Sequence, residues 1–186
     1  MRIIGITGTL GAGKGEVVNY LVEKYGFKHF SAREFIIEEI KRRGLPVNRD
    51  TTTPVANDLR AKYGSDYIAK ELFKRAVTAG GDAIIESIRT VGEAGALRAT
   101  GKPFTFLAVD ADKKLRFERV HRRKSELDDV TFEKFVEDEK REMTSTDPTK
   151  QNLSACIALA DVVIQNNGTL EELHAQVDTA LGKITI

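Results

Sequence analysis

Cysteine is almost absent from this chain of 186 residues: Cys156 stands alone, so neither an internal disulfide nor a thiolate metal cluster can form. That usage suits a reducing compartment and sets the expectation of a cytoplasmic protein. Neither sign of charge is in excess, since 29 Lys+Arg against 28 Asp+Glu leave a formal net charge of +1. A chain so balanced has no global attraction for nucleic acid or anionic membrane, although local patches can still hold anions. No apolar run approaches the roughly 20 residues that span a bilayer. Met1-Arg2-Ile3-Ile4 opens at once as a strand pattern and leaves no room for a signal peptide. Internal repeats, low-complexity tracts and Pro/Gly-rich linkers are missing as well. What is present, 41% apolar and 31% charged residues, is the composition of a soluble globular protein. The expectation is a single domain over 1–186, a monomer or small homo-oligomer whose partners are small molecules.

Short apolar runs alternate with longer helical patterns, the signature of a mostly parallel sheet covered on both faces. Strands are expected at Arg2–Thr7, Phe27–Phe30, Asp82–Glu86, Phe104–Asp110 and Val162–Gln165. The nearly continuous runs Ala83-Ile84-Ile85 and Phe104–Val109 suit strands buried on both sides. Helical spacing links Val17, Val18, Leu21, Val22 and Tyr25, and again Phe35, Ile36, Ile37 and Ile40 behind Ser31 as N-cap. Further helices are expected over Pro54–Lys62, Asp66–Ala79, from Leu115 through Val120, and from Thr169 to about Leu181, where Thr169-x-x-Glu172 is a capping box. Cys156, within Leu153-x-x-Cys156-Ile157-x-Leu159, has the helical spacing of a small core residue.

The strongest motif is Gly8-Thr9-Leu10-Gly11-Ala12-Gly13-Lys14-Gly15, between the first strand and the first helix. Its G-x-x-x-x-G-K spacing in a strand–loop–helix context is that of a phosphate-binding loop. Glycines let successive N–H groups curl around a phosphate, the following helix points its positive end at the same anion, and Lys14 adds a compact cation. Gly8 through Glu16 are therefore the candidate nucleotide-binding residues. After Lys14 the usual Ser or Thr is replaced by Gly15, so the hydroxyl that ordinarily touches Mg²⁺ is missing.

Gly13-Lys14-Gly15 resembles adenylate kinase and its nucleoside monophosphate kinase relatives, as do Ile84-Ile85-Glu86-Ser87-Ile88-Arg89-Thr90 and His29-Phe30-Ser31 with the helix behind it. Ala160–Leu173 is similar to the same region of dephospho-CoA kinases, and the whole resembles archaeal-type nucleotide kinases related to them. The resemblance implies a three-layer α/β P-loop fold with a five-stranded parallel sheet in the order 2-3-1-4-5. It also implies an acceptor-binding helical region over about 31–80 and a lid-like segment over about 113–142. ATP and Mg²⁺ are the implied cofactors. Carried over residue by residue, Lys14, Arg89, Arg119 and Arg123 are the catalytic cations, and Asn167 and Gly168 touch the adenine. Glu86 organises metal-bound water, while Arg33, Glu34, Arg60 and Arg89 meet the acceptor.

Departures from the family keep three functions open. Dephospho-CoA kinases carry Asp-x-Asp where this chain has Ser31-Ala32-Arg33-Glu34, which favours a nucleoside monophosphate clamped by arginines over a hydroxyl needing a base. Glu34 as a base preserves the alternative of dephospho-CoA, and the missing hydroxyl after Lys14 preserves that of a nucleotide-dependent switch. Asp110, at a strand end, is either a metal-supporting or a helix-capping residue. Arg116, Arg119, Arg122 and Arg123 share helical faces, so Lys113–Glu142 is either a solvated helical pair or a lid over charged substrate. The lid sequence Arg123-Lys124-Ser125-Glu126-Leu127-Asp128-Asp129 lacks the arginine that usually precedes the acids. His29, His121 and His174 show no metal-ligand spacing and are expected on the surface or in packing.

Overall fold

The computed structural model describes residues 1–122 and 131–182. The whole 123–129 lid sequence, Arg123 and its acids included, therefore lies outside the described residues. Five strands, β1 (Ile3–Gly8), β2 (Lys28–Ser31), β3 (Ala83–Glu86), β4 (Phe104–Asp110) and β5 (Val162–Gln165), form one sheet in the order β2-β3-β1-β4-β5. Every neighbouring pair is parallel. The order expected from the resemblance is the order found. Each crossover carries helix, because parallel strands need long connections.

Around the sheet lie α1 (Lys14–Tyr25), α2 (Ala32–Arg42), α3 (Arg49–Tyr63), α4 (Tyr67–Ala79), α5 (Val91–Arg98), α6 (Lys113–Arg122), α7 (Phe132–Met143), α8 (Leu153–Ala158) and α9 (Leu170–Gly182). The period of two along each strand divides the core. Ile3, Ile85 and Phe106 face a layer that contains Ile36, Leu59, Ile68, Leu72, Leu97 and Cys156, from α2, α3, α4, α5 and α8. Ile4, Ile6, Ile84, Leu107, Val109 and Ile164 face the other way, onto Val17, Leu21, Leu173 and Val177 of α1 and α9. Each such side chain contributes about 1.5–3 kcal/mol by leaving water. Cys156 is fully buried, and burial pushes its thiol up to about 12. Among the described residues no helix is long and apolar enough to cross a membrane.

Local signals set several helix starts. Ser31 Oγ accepts from the Glu34 amide, and Thr169 and Glu172 form the reciprocal bonds of the expected capping box. Helix α3 begins earlier than the Pro54 start expected from sequence, because Asn48 caps it: its side chain accepts from the Thr51 amide at 3.0 Å. Pro54 is carried inside the helix. Helix α5 was not foreseen, although Thr90-x-x-Glu93 is itself a capping box.

That second box is buried and carries a sealed ion pair. Glu93 Oε2 accepts from the amides of Arg89 and Thr90, and Oε1 accepts from Arg60 Nε at 2.9 Å. Both side chains of the pair are 1% exposed. Removing one member of a buried pair strands the other, at about 3–5 kcal/mol. Glu93→Ala is accordingly expected to lower the unfolding free energy by about 3 kcal/mol or more, read from the urea midpoint of the variant against the parent chain.

Candidate phosphate-binding site

The C-terminal ends of β2, β3, β1 and β4 bring Ser31, Glu86, Gly8 and Asp110 to one edge of the sheet. In open parallel sheets that edge, where connections leave in opposite directions, is where ligands bind. The loop from Gly8 to Lys14 occupies it and leads into α1.

The loop's glycines are required by space as well as by dihedral angle. Gly8, Gly11 and Gly13 have φ of +140°, +80° and +95°, the region that L side chains avoid. A Cβ at Gly8 would strike the Val109 carbonyl, one at Gly11 the Arg116 carbonyl, and one at Gly13 the Asn166 amide. Gly15 differs, since a Cβ there would meet nothing within 4 Å. Neighbouring elements hold the curl: Thr9 Oγ1 donates to Asp110 Oδ1 at 2.7 Å, and Asn166 Nδ2 donates to the Ala12 carbonyl at 2.8 Å. Lys14 Nζ donates back to the carbonyls of Gly8 (3.0 Å) and Thr9 (2.9 Å), which sets its ammonium beside the cradle.

Glu86 ends β3 within the electrostatic reach of Lys14. Its Oε2 lies 3.5 Å from His29 Nε2 and accepts from Ser31 Oγ at 3.4 Å, while Ser87 Oγ donates to Oε1 at 2.9 Å. Burial acts to raise this carboxyl, but the His29 ring, the Lys14 charge and the Ser87 hydroxyl outweigh it and hold the group at about 2. Ser87 takes φ +71°, the one non-glycine positive φ among the described residues, and turns the chain toward Arg89.

Arg89 is tied by its backbone, its amide donating to Glu93 Oε2 (2.7 Å) and its carbonyl accepting from the Asn152 amide (2.9 Å). The Arg89 guanidinium has its Nη1 buried, 3.6 Å from Glu142 Oε2 of α7, and without a hydrogen-bond acceptor among the described residues. Arg33 and Glu34 are exposed in the first turn of α2. Arg60 is not open to the cleft; its Nε serves Glu93, so it braces the turn that carries Arg89.

The arginines of α6 divide. Arg116 is buried under the loop, its Nε donating to the Ala111 carbonyl (2.7 Å) and its Nη1 to Glu139 Oε2 and the Leu10 carbonyl. Arg119 Nη1 donates to the Asn166 carbonyl at 2.9 Å. Arg122 is exposed beside Glu118. Asn167 faces Asp112, accepting from its amide through Oδ1 at 2.8 Å, and a Cβ at Gly168 would strike the Glu172 carboxylate.

Sequence reasoning passed over Asn166, Glu93 and the carboxylates of α7, and it read His29 as a surface or packing residue, whereas the structure sets it 3.5 Å from Glu86. Asn166 was hidden by its neighbour Asn167, and His29 acquires its meaning only from the parallel register that sets Ser31 opposite Glu86. Glu93 alone had a readable signal, its spacing from Thr90. Among the described residues no group of three or more His, Cys, Asp or Glu side chains is placed to hold a metal.

Comparison with known proteins agrees with this geometry. A family model described as an AAA domain matches residues 7–136. A UPF0200 protein of Methanocaldococcus jannaschii is 32% identical over 187 aligned residues, covering 99% of this chain and 91% of the relative. Among solved structures, shikimate kinase from Bacteroides thetaiotaomicron superposes with TM-score 0.60 at 11% identity, covering 100% of this chain and 99% of that one. A gluconokinase from Sinorhizobium meliloti gives TM-score 0.59 at 16% identity, with 98% and 93% covered. At such identities the likeness is one of fold, the P-loop kinase fold.

The depressed Glu86 carboxyl has a pH signature. A group whose acidity is greater in the folded than in the unfolded chain stabilises above its unfolded pKa and loses that contribution as pH falls toward its folded one. The stability advantage of the parent over Glu86→Gln should be full above about pH 5 and shrink steadily toward about 2, as measured by urea unfolding across that range.

Proposed function

Because this chain belongs to the UPF0200 family and to the P-loop nucleotide kinase-like proteins, we propose that it is an ATP-dependent phosphotransferase whose acceptor is a nucleoside monophosphate. The observation that carries the reading is the pairing of two anion sites on one sheet edge. The glycine cradle with Lys14 lies at the end of β1, and Arg89, with its unsatisfied guanidinium nitrogen, follows the end of β3, which is paired to β1. The solved neighbours that are named as kinases support the coarser part, phosphoryl transfer to a small molecule.

The cradle fits a nucleotide's terminal phosphates, because the positive φ of Gly8, Gly11 and Gly13 curls the loop at the N-terminus of α1, where backbone N–H groups and the positive end of the helix favour an anion. Lys14 would turn from the Gly8 and Thr9 carbonyls to the β- and γ-phosphates. Mg²⁺, when bound with the nucleotide, supplies positive charge that offsets the charge developing on the transferring group. Glu86, ionised at every physiological pH, is the residue suited to hold that ion through water, since Gly15 offers no hydroxyl. Arg89 grips the acceptor, with Arg33 as its companion at the start of α2. Arg119, anchored on Asn166, approaches from the nucleotide side. An acceptor that arrives as a phosphate is already anionic and needs orientation and charge neutralisation more than a base.

A hydroxyl acceptor, as in dephospho-CoA, is the second reading. It is favoured by one observation, the exposed Glu34 carboxylate, which has no ion-pair partner among the described residues and stands three residues beyond the strand end at Ser31. A coupled assay of ATP turnover against a panel of nucleoside monophosphates and dephospho-CoA decides between them. On the first reading Lys14→Ala lowers kcat by about a hundredfold or more, whereas Arg89→Ala raises the acceptor KM by about tenfold and leaves the ATP KM near the parent value. Turnover that ignores every acceptor would reject phosphoryl transfer and leave a nucleotide-dependent switch.

A further inference from the structure

Helix α7 turns carboxylates toward the loop and the β3–α5 turn, and they are used differently. Glu139 is fully engaged, bonded by Arg116 Nη1 and by Lys113 Nζ at 3.0 Å. Burial acts to raise its carboxyl, but these two cations hold it below the usual range. Glu142, one turn nearer the helix end, stands 3.6 Å from Arg89 Nη1, which is too far for a hydrogen bond. Arg89 Nη1 is buried and has no acceptor among the described residues. A buried guanidinium N–H without an acceptor is costly; Arg60 Nη1 is orphaned likewise, but it is sealed in the core at 1% exposure, whereas the Arg89 side chain is 20% exposed and an anion can reach it. Glu142 thus neutralises the arginine by proximity without satisfying it.

We propose that Glu142 determines which anions the acceptor site admits. Its carboxylate balances the charge of Arg89 in the absence of acceptor and yields to a phosphate dianion, while an acceptor that carries a single carboxylate binds much more weakly. The inference rests on the reading of Arg89 as the acceptor clamp. Exchanging one carboxylate for another leaves the charge around Arg89 unchanged and adds the cost of ordering a ligand. A phosphate monoester brings close to two negative charges and three acceptor oxygens, enough to match the guanidinium fork and still compensate for displacing Glu142. Glu142 is only partly buried, with 32% of its side chain exposed, so it can swing toward water with little rearrangement of α7.

The experiment is calorimetric titration of inorganic phosphate and of acetate at pH 8, with the glycine loop saturated by a nonhydrolysable ATP analogue. It compares the parent chain with Glu142→Gln, which keeps the side-chain shape, and with Arg89→Ala. Glu142→Gln should bind phosphate about three- to tenfold more tightly, the range expected for relief of one partly exposed ion pair. Its gain for acetate should be the larger of the two, so that the preference for phosphate narrows. Arg89→Ala should lose both anions. Equal phosphate and acetate affinities in the parent and Glu142→Gln, with binding lost in Arg89→Ala, would overturn the role of Glu142 and leave the clamp standing. Phosphate binding unaffected by Arg89→Ala would overturn the clamp itself, and with it this inference.

Discussion

The close approach of the first loop to its neighbours is the constraint from which the site follows. At Gly8, Gly11 and Gly13 there is no room for a side-chain carbon, because the Val109 carbonyl, the Arg116 carbonyl and the Asn166 amide already stand there. That crowding keeps the loop curled with its amide groups available, and it ties the curl to β4, α6 and the β5–α9 turn at once. Thr9 on Asp110 and Arg116 beneath Leu10 reinforce the same contacts. Any substitution that pushes these elements apart would open the cradle without touching a phosphate.

A second theme is the sorting of charge in a chain whose totals nearly cancel. Lys14, Arg89 and Arg119 gather at the C-terminal edge of the sheet, where Lys14 and Arg119 donate to carbonyls and Arg89 stands near the Glu142 carboxylate. Glu86 remains ionised despite burial because it shares the edge with His29 and Lys14. Arg60 and Glu93, by contrast, are sealed in the core, where their mutual bond and the Arg89 and Thr90 amides on Glu93 offset part of the loss of water, although Arg60 Nη1 has no acceptor among the described residues. The same residue types therefore line the proposed anion site at the edge and brace the core one layer below it.

Much of this was legible in the sequence, and the reasons differ by residue. The glycine loop could be read because its chemistry is backbone chemistry at fixed spacing, and β3 and β4 because strands buried on both faces are continuously apolar. Ser31 and Thr169 announced their helices by local hydrogen bonding. Over Lys113–Glu142 the sequence offered a helical pair as one reading, but not the contacts of α7, since these depend on which carboxylate meets which arginine across space, as Glu139 does Arg116. Arg60 shows the opposite failure: its type and position suggested a clamp, and a buried Glu93 that no spacing rule connects to it claims the guanidinium instead. Asn166 and His29 belong to the same class, being given their roles by the parallel register and by the β5 turn, which are properties of the assembled sheet.

Asn166 carries one more implication, for the order in which the chain becomes competent during synthesis. The glycine loop is synthesised well before residue 166, which donates one of the bonds that fix its curl, and its strand β1 pairs with β3 and β4, made much later. Contacts so distant in sequence close slowly, so a nascent chain stopped short of β5 would expose a loop of the right composition and the wrong shape. Nucleotide retention by ribosome-bound chains of increasing length is then a direct gauge of when the sheet has closed.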